Sequence, residues 1–307
     1  MIKKVFLVFS LIFITTIFLT YSFVVKLPNH YNLLLLGLDP RDDSIEKTMT
    51  TDTIIFASFN FEKRHLSIIS LPRDLWSYST TTKINQIYPD SLKPTPNWDQ
   101  VKQEFTYITG QKINDIVVIT TENLTNLITV LGGVTVNLKN GFIDKSYPNP
   151  EYIKNPSPRI PIYITIEFPP GDNLINSSNI VPFTRSRKSS DNPLLGGTDL
   201  GRIERQQLLI EAISKQSLSP SNLKFNRLNQ LYRFWKSLLI TIEDRTIFAL
   251  SLKFVFSSPV STPITLHRYV LNDLIYHPDK FTTPAWVFLP KGEDYQEIHQ
   301  FIQKQIN

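Results

Sequence analysis

Short apolar runs that end at turn residues recur along this 307-residue chain and restrict its fold class. Residues 32–38 read NLLLLGL and stop at Asp39, and residues 53–60, 66–71 and 114–120 have the same character. Runs of this length are typical of strands that are buried on both faces of a helix-covered sheet. The polar residues 62–64, between the second and third runs, predict a β-hairpin.

Helical patterns alternate irregularly with these strands. Residues 122–131 predict a helix that stops at Gly132 and Gly133, and residues 134–138 predict the strand that follows. The strongest helical pattern covers residues 200–217, where Asp199 is placed to cap the first turn. Further helices are predicted at 222–239, 242–256 and 294–306, and further strands at 163–167, 265–270 and 285–289.

The Pro- and Ser-rich residues 144–184 predict a long, loop-rich excursion. Strand and helix patterns resume on both sides of it, so it does not divide the chain into separate domains. The irregular order of strands and helices predicts one α/β domain with a mixed sheet between helices.

The N-terminus predicts a membrane anchor. Lys3 and Lys4 precede residues 5–25, which carry no charge and match the thickness of a bilayer core as a helix. The lysines predict a cytoplasmic tail at 1–4, a single transmembrane helix at 5–25, a link at 26–31 and an extracytoplasmic domain at 32–307. A cleaved signal peptide and a buried soluble helix are the alternatives, but the bulky residues 21–25 do not resemble a cleavage site.

Composition removes several classes of function. The formal charge of +5 (32 basic minus 27 acidic residues) is too small and dispersed to indicate a nucleic-acid partner. Cysteine is absent, which excludes disulfides, thiolate metal sites and a cysteine nucleophile. The 5 histidines lack metal-ligand spacing, and no Walker A, Rossmann or G-x-S-x-G motif occurs.

Two carboxylates stand at the ends of predicted strands. Asp39 follows the first strand directly, and Asp52 immediately precedes the second. Such a pair can share a hard divalent cation such as Mg²⁺, which prefers oxygen ligands together with substrate phosphate. The alternative is that Asp39 is an ordinary turn residue before Pro40.

A second group of polar residues closes the third strand. Arg73 offers a planar fork suited to phosphate, Asp74 could orient it, and Lys83 adds a cation in the loop that follows. A surface ion pair is the alternative interpretation.

The third group is the largest and surrounds the strongest helix. Arg185 and Arg187 share one side if their segment is extended, and Arg202, Arg205 and Gln206 lie close together on the helix. The N-terminus of that helix adds unpaired N–H groups and a partial positive charge. This arrangement predicts a polyanion site, and a solvated basic face is the alternative.

The chain resembles the LytR-CpsA-Psr family in seven segments. They are residues 32–39 (NLLLLGLD), 50–58 (TTDTIIFAS), 70–76 (SLPRDLW), 83–85 (KIN), 131–136 (LGGVTV), 184–187 (TRSR) and 199–207 (DLGRIERQQ). The resemblance implies an α-β-α sandwich with an apolar groove for a polyprenyl chain. It also implies a Mg²⁺-dependent phosphotransferase that moves an anionic glycopolymer from its polyprenyl-pyrophosphate carrier onto peptidoglycan, at the outer face of the bilayer.

Position by position, the resemblance assigns roles to the three groups. It gives Asp39 and Asp52 to the metal, and Asp199 to the support of the anion site. Asp74 and Asp52 are the candidates for a general base. The residues assigned to pyrophosphate are Arg73, Arg185, Arg187, Arg202 and Gln206.

Two positions depart from the family pattern. Thr50 stands where the family commonly has an arginine, and residues 176–182 lack the glycine-containing pattern that precedes the paired arginines. The missing phosphate contact would be lost or supplied by Arg41 or Lys83. Two alternative functions therefore stand beside the enzyme: a non-catalytic regulator of the transcriptional-attenuator type, and a binder of polyprenyl-pyrophosphate glycolipids.

Overall fold

The computed structural model describes residues 28–39, 50–92, 96–186, 199–217, 219, 222, 224–257, 263–279, 286–292 and 294–307. The strands are β1 (His30–Asp39), β2 (Thr50–Asn60), β3 (His65–Leu71), β4 (Trp76–Ser77), β5 (Thr82–Lys83), β6 (Asp115–Thr120), β7 (Val134–Leu138), β8 (Phe142–Pro148), β9 (Tyr163–Phe168), β10 (Gly171–Ile175), β11 (Leu239–Ile240), β12 (Thr265–Val270), β13 (Ile275–Tyr276) and β14 (Leu289–Pro290). The α-helices are α1 (Ile84–Ser91), α2 (Trp98–Thr109), α3 (Thr121–Leu131), α4 (Pro150–Lys154), α5 (Ile180–Arg185), α6 (Asp199–Ser217), α7 (Phe225–Ser237), α8 (Asp244–Phe256) and α9 (Gln296–Ile306), and a 3-10 helix spans Asn272–Leu274.

Six strands form the central sheet, in the order β11-β6-β1-β2-β3-β12. β12 pairs with β3 in parallel, from Thr265 opposite His65 to Val270 opposite Ser70. β2 and β3 are neighbours joined by a short turn, in which Arg64 takes a positive φ of 50°. A connection this short requires antiparallel strands, so the predicted hairpin and the predicted mixed sheet are both confirmed.

Two compact units make up the fold. Unit 1 consists of Ile55–Val117, Ile240–Asn307 and the described part of Met1–Leu35. Its core includes one face of α2, where Val101, Phe105 and Ile108 are fully buried. Their spacing places them on a single helical stripe.

Unit 2 consists of Leu36–Ile54 and Val118–Leu239. Helix α3 begins with a capping box between Thr120 and Asn123, and it ends at Gly132 in the left-handed conformation with φ of 75°. β7 pairs with β10 in antiparallel fashion, from Val134 opposite Ile175 to Leu138 opposite Gly171. A hydrophobic core joins α3 and this strand pair to β8, β9, α5 and α6.

The loop-rich prediction for residues 144–184 is wrong in part. β9 was predicted, but the segment also contains most of β8 together with α4, β10 and α5. The pairing of β8 with β9 and of β10 with β7 satisfies backbone groups that the prolines and serines alone would leave in turns. In place of the predicted strand at 285–289, the structure has the short strand β14, which pairs with β13. Residue 285, the first of the predicted strand, lies outside the described residues.

The predicted anchor at 5–25 lies outside the described residues, as does the tail before it. In the part of the chain that the structure describes, no helix has both the length and the apolar character needed to cross a bilayer.

Candidate functional site

The ends of β1 and β2 bring the two predicted metal carboxylates into neighbouring strands of unit 2. Asp39 is the last residue of β1, and Asp52 is a buried residue near the start of β2. The side chain of Asp39 lies outside the described residues. Thr50, at the position of the family arginine, donates from Oγ1 to Oδ1 of Asp52 over 3.3 Å.

This pair fits the chemistry that Mg²⁺ requires. Mg²⁺ sites commonly use one or two protein carboxylates and leave the other positions to phosphate and water. Asp52 supplies a buried carboxylate, and the chain places Asp39 at the end of the adjacent strand. Within the described ranges, no group of three or more His, Cys, Asp or Glu side chains could hold a metal ion.

A glycine allows β1 and β2 to approach each other near these carboxylates. A Cβ atom added to Gly37 would lie 2.8 Å from Cβ of Thr53, closer than real Cβ atoms come. We therefore expect Gly37→Ala to lower the free energy of unfolding by about 1–3 kcal/mol, measured by urea denaturation. Gly292→Ala is the control, because its added Cβ would meet no atom closer than 3.8 Å. Equal stability of the two variants would contradict the close approach.

In unit 1, Asp74 binds two cations at once. Nε of Arg73 donates to Oδ2 of Asp74 over 3.2 Å, and Nζ of Lys83 donates to Oδ1 over 2.7 Å. The predicted contact between Arg73 and Asp74 is thus present, and Lys83 joins it. Two cations and one carboxylate leave one net positive charge in the Arg73–Asp74–Lys83 group, a favourable environment for an anion.

The backbone around Asp74 is fixed by several hydrogen bonds. Its carbonyl accepts from the amide of Phe288 over 2.9 Å, and the carbonyl of Arg73 accepts from the amide of Asn85 over 3.2 Å. The pairing of β4 with β5, in which Trp76 lies opposite Lys83, brings the lysine back toward Asp74. Both cations therefore have defined positions before any ligand binds.

In unit 2, Arg185 is the last residue of α5, and its side chain reaches the start of α3. Its Nη2 atom donates to Oγ1 of Thr121 over 3.2 Å. The side chain is partly exposed, unlike those of Arg202 and Arg205 in α6, which are 3% and 4% exposed. Helix α5 continues through Arg185, so this residue is not extended. The condition under which Arg185 and Arg187 were expected to share one side is therefore not met.

Buried Arg205 holds the end of α5. Its Nε donates to the carbonyl of Phe183 over 3.0 Å, Nη2 donates to the carbonyl of Ser186, and the guanidinium lies 4.3 Å from the ring centroid of Phe142. These two carbonyls flank Arg185 in the chain. Arg205 thus fixes the backbone on both sides of Arg185.

Asp144, which sequence reasoning missed as a site residue, completes this network. Its Oδ2 accepts from Oγ of Ser186 over 2.7 Å, and its Oδ1 accepts from the amide of Ser146 over 2.9 Å. Burial, reinforced by Arg202, lowers the pKa of Arg205 to about 10, and the negative charge of Asp144 acts in the opposite direction. The guanidinium is therefore charged at neutral pH. A signal was available, since Asp144 is a lone acidic residue in a strand that begins with apolar residues.

The remaining predicted residues of the third group have different outcomes. Nε2 of Gln206 lies 3.5 Å from the carbonyl of Thr184, so this amide faces the α5 backbone. Asp199 is the first residue of α6, and its side chain lies outside the described residues. Arg187 also lies outside the described residues, as does Arg41, which was the candidate for the missing phosphate contact.

Known proteins match most of the chain. The model of the LytR_cpsA_psr (LytR-CpsA-Psr) family matches residues 20–242. A relative from Halalkalibacterium halodurans, the polyisoprenyl-teichoic acid–peptidoglycan teichoic acid transferase TagU, is 24% identical over 66% of this chain and 58% of its own length. The chain spans somewhat more than half the length of the curated relatives it matches, since two further TagU proteins are each covered over 54%.

Solved structures match the fold. A transcriptional regulator from Enterococcus faecalis aligns with a TM-score of 0.64 and 18% identity, over 92% of this chain and 89% of that one. TagT bound to LIIa-WTA aligns with a TM-score of 0.60 and 16% identity, over 91% of both chains. The family model covers well over half of the sequence, and the α/β fold with its central mixed sheet agrees with these structures. The chain belongs to the LytR-CpsA-Psr family.

Proposed function

We propose that this protein is a phosphotransferase that moves an anionic glycopolymer from a polyprenyl-pyrophosphate carrier onto peptidoglycan. Family membership supports the proposal, as do the matches to relatives named as teichoic acid transferases. The structure of a neighbour bound to LIIa-WTA supports a glycopolymer ligand for this fold.

One observation carries the proposal, namely the fixed position of Arg185. Its side chain is partly exposed and held by Thr121, while buried Arg205 fixes the carbonyls on both sides of it. A guanidinium that is positioned in advance stabilises developing negative charge without reorganisation during the reaction. This is what a reacting pyrophosphate requires, because phosphoryl transfer depends mainly on positioning and charge stabilisation.

In the proposed reaction, an acceptor sugar hydroxyl attacks the phosphorus nearest the glycopolymer, and polyprenyl phosphate leaves. Arg185 is assigned to the pyrophosphate oxygens, and the resemblance assigns Arg73 and the buried Arg202 to the pyrophosphate as well. Mg²⁺, held by Asp39 and Asp52, would supply further neutralisation of the pyrophosphate charge.

Asp74 is assigned a positioning role. Each of its oxygens already accepts a hydrogen bond from a cation, Arg73 on one side and Lys83 on the other. A carboxylate occupied in this way orients two phosphate-binding groups more readily than it accepts a proton from a sugar hydroxyl. The other candidate for the general base is Asp52. A carboxylate bound to Mg²⁺ is less available to accept a proton, so this role competes with the proposed role of Asp52 as a metal ligand.

One observation favours a non-catalytic binder as the second candidate. Thr50 places a neutral hydroxyl beside Asp52, where the family pattern has a cation. If this contact is essential for turnover, the protein would hold the lipid-linked polymer without transferring it.

Release of polyprenyl phosphate separates the two functions. The full chain is incubated with a polyprenyl-pyrophosphate-linked glycopolymer and a peptidoglycan acceptor, with and without Mg²⁺. We expect Mg²⁺-dependent release of polyprenyl phosphate, and retention of intact lipid would indicate the binder.

The metal ligands can be tested in the same assay. We expect Asp52→Asn to raise the Mg²⁺ concentration that supports half-maximal release by about 100-fold, because it removes a charged ligand. Asp172→Asn is the matched control, since this carboxylate is exposed on β10 and accepts a hydrogen bond from the side chain of Asn137. An identical Mg²⁺ dependence in wild type and Asp52→Asn would contradict the metal assignment.

A further inference from the structure

Helix α8 exposes apolar residues and buries a lysine. Phe248, Val255 and Phe256 are 65%, 50% and 60% exposed, whereas Lys253 is 4% exposed. At 100° per residue, Phe248, Leu252, Val255 and Phe256 fall on one side of the helix, which we call the outer face of α8. Ala249 is buried beside Lys253, so apolar residues occupy both sides of this helix, including the exposed side that a surface helix in a soluble domain normally fills with polar residues.

Lys253 shows that this orientation is specific. Its Nζ donates to the carbonyl of Pro28 over 2.8 Å and to Oδ1 of Asn29 over 3.0 Å. Burial lowers the pKa of Lys253, and the charge of Glu62 partly compensates. A lysine turned inward to bond a defined backbone carbonyl fixes the rotation of the helix about its axis.

The C-terminal half of α8 has further anchors in unit 1. The guanidinium of Arg64 lies 3.9 Å from the ring centroid of Phe254, and its Nη1 donates to the carbonyl of Phe254 over 3.4 Å. Oγ of Ser257 donates to the carbonyl of Phe61 over 3.1 Å. The helix is therefore held from its inner side, and none of these contacts involves its outer face.

The bond from Lys253 to Pro28 places α8 beside the point where the predicted anchor ends. Pro28 is three residues beyond Val25, the last residue of the apolar segment 5–25. Three residues span at most about 11 Å of extended chain. If residues 5–25 cross a bilayer, α8 must lie close to the membrane surface.

We infer that the outer face of α8 rests in the lipid–water interface and fixes unit 1 against the bilayer. Aromatic and aliphatic side chains on one side of an interfacial helix sink about 5–10 Å into the boundary between headgroups and acyl chains. The charged residues of the outer side, Asp244 and Arg245, stand together at the first turn, where they can stay among the headgroups. The inference depends on the predicted anchor and not on the proposed transfer reaction.

Site-specific labelling can test this contact, because the chain contains no cysteine. Val255→Cys and, separately, Phe248→Cys in the full chain are labelled with an environment-sensitive fluorophore. The labelled protein is reconstituted into phosphatidylethanolamine–phosphatidylglycerol vesicles that contain a lipid with a nitroxide near its headgroup. Asp99→Cys is the matched control, since Asp99 is an exposed charged residue in the first turn of α2 in the same unit.

We expect labels at 248 and 255 to shift to shorter wavelength and to lose about half of their emission to the nitroxide lipid, as shallow insertion requires. The label at 99 should show neither change. Quenching at 248 and 255 no greater than at 99 would overturn the inference, as would protein that does not float with the vesicles. Emission that depends on the protein-to-lipid ratio but is not quenched by the nitroxide lipid would also overturn the inference. It would indicate that the outer face of α8 contacts a second copy of the chain.

Discussion

Arg185→Ala is expected to reduce the release of polyprenyl phosphate by about 1,000-fold, with little change in stability. An arginine that stabilises the charge of a transferring phosphoryl group contributes about 10³–10⁵ in kcat. The side chain of Arg185 is partly exposed and reaches Oγ1 of Thr121, so its removal leaves the buried contacts of Arg205 in place. Loss of transfer should therefore occur in a folded protein.

Two further variants sharpen this test. Arg185→Lys keeps the charge but loses the planar fork, and it should recover only part of the activity. Arg233→Ala removes an exposed arginine of α7 in the same unit, and it should change neither transfer nor stability. The unfolding free energy of all three variants should stay within about 0.5 kcal/mol of wild type. Full transfer by Arg185→Ala would reject the assignment of Arg185 to the pyrophosphate.

Strand β1 was predictable because burial on both faces leaves a direct record in the sequence. The run at 32–38 became β1, and residues 265–270 became β12 with the predicted bounds. The first run is apolar and ends at Asp39, whereas residues 265–270 form an edge strand whose residues are exposed or half-buried. The signal of the apolar run depends only on local sequence and needs no knowledge of the partner strand.

Helices α1 and α2 were not predicted, for different reasons. α1 contains Pro89, which normally argues against a helix, yet the proline occurs near the C-terminal end of this short element. α2 did carry a readable signal, with Asn97 as its N-cap and buried residues spaced along one stripe. The helical spacing of these buried residues was missed because the segment is mostly polar and lacks a continuous apolar run.

The residue types of the three polar groups were readable from the sequence, but the contacts that these side chains make were not. Arg185 and Arg205 are both arginines of the third group, and although the family resemblance assigns only Arg185 to the pyrophosphate, the local sequence does not show that Arg205 is buried. Their roles separate only because the chain from β8 to α5 folds over α6 and presents two backbone carbonyls and Asp144 to Arg205. Contacts of this kind join residues far apart in sequence, and they leave no periodic pattern.

The orientation of α8 also could not be predicted from the local sequence. The sequence predicts a helix at 242–256, but it does not indicate which side of that helix faces the core. In the structure Lys253 faces inward and bonds the carbonyl of Pro28, which lies 225 residues earlier in the chain. Long-range contacts of this kind, which also include those of Arg64 and Ser257, therefore set which face of the helix meets the surroundings.

Arg205→Met is expected to lower the free energy of unfolding by about 3–5 kcal/mol, the usual cost of removing one partner from a buried charged network. The substitution leaves the carbonyls of Phe183 and Ser186 without their guanidinium donor, and it removes a buried positive charge that interacts with Asp144. The midpoint of urea unfolding, compared with wild type, measures this loss.

The matched control for Arg205→Met is Lys215→Met, in the same helix. Lys215 forms an exposed ion pair with Glu211 over 2.6 Å, a kind of contact that contributes at most about 1 kcal/mol. Arg205→Lys keeps the charge but cannot reach both carbonyls, so its stability should fall between those of wild type and Arg205→Met. An unfolding midpoint of Arg205→Met equal to that of Lys215→Met would contradict the buried network.

A local measurement distinguishes the positioning role of Arg205 from a general loss of stability. The amide of Ser186 donates to the carbonyl of Pro182 at the end of α5, beside the two carbonyls that Arg205 binds. If Arg205 fixes this end, Arg205→Lys should speed hydrogen exchange at Ser186 more than at Val136 in the β7–β10 pair. Equal acceleration at both amides would mean that Arg205 stabilises unit 2 as a whole and does not specifically hold Arg185 in place.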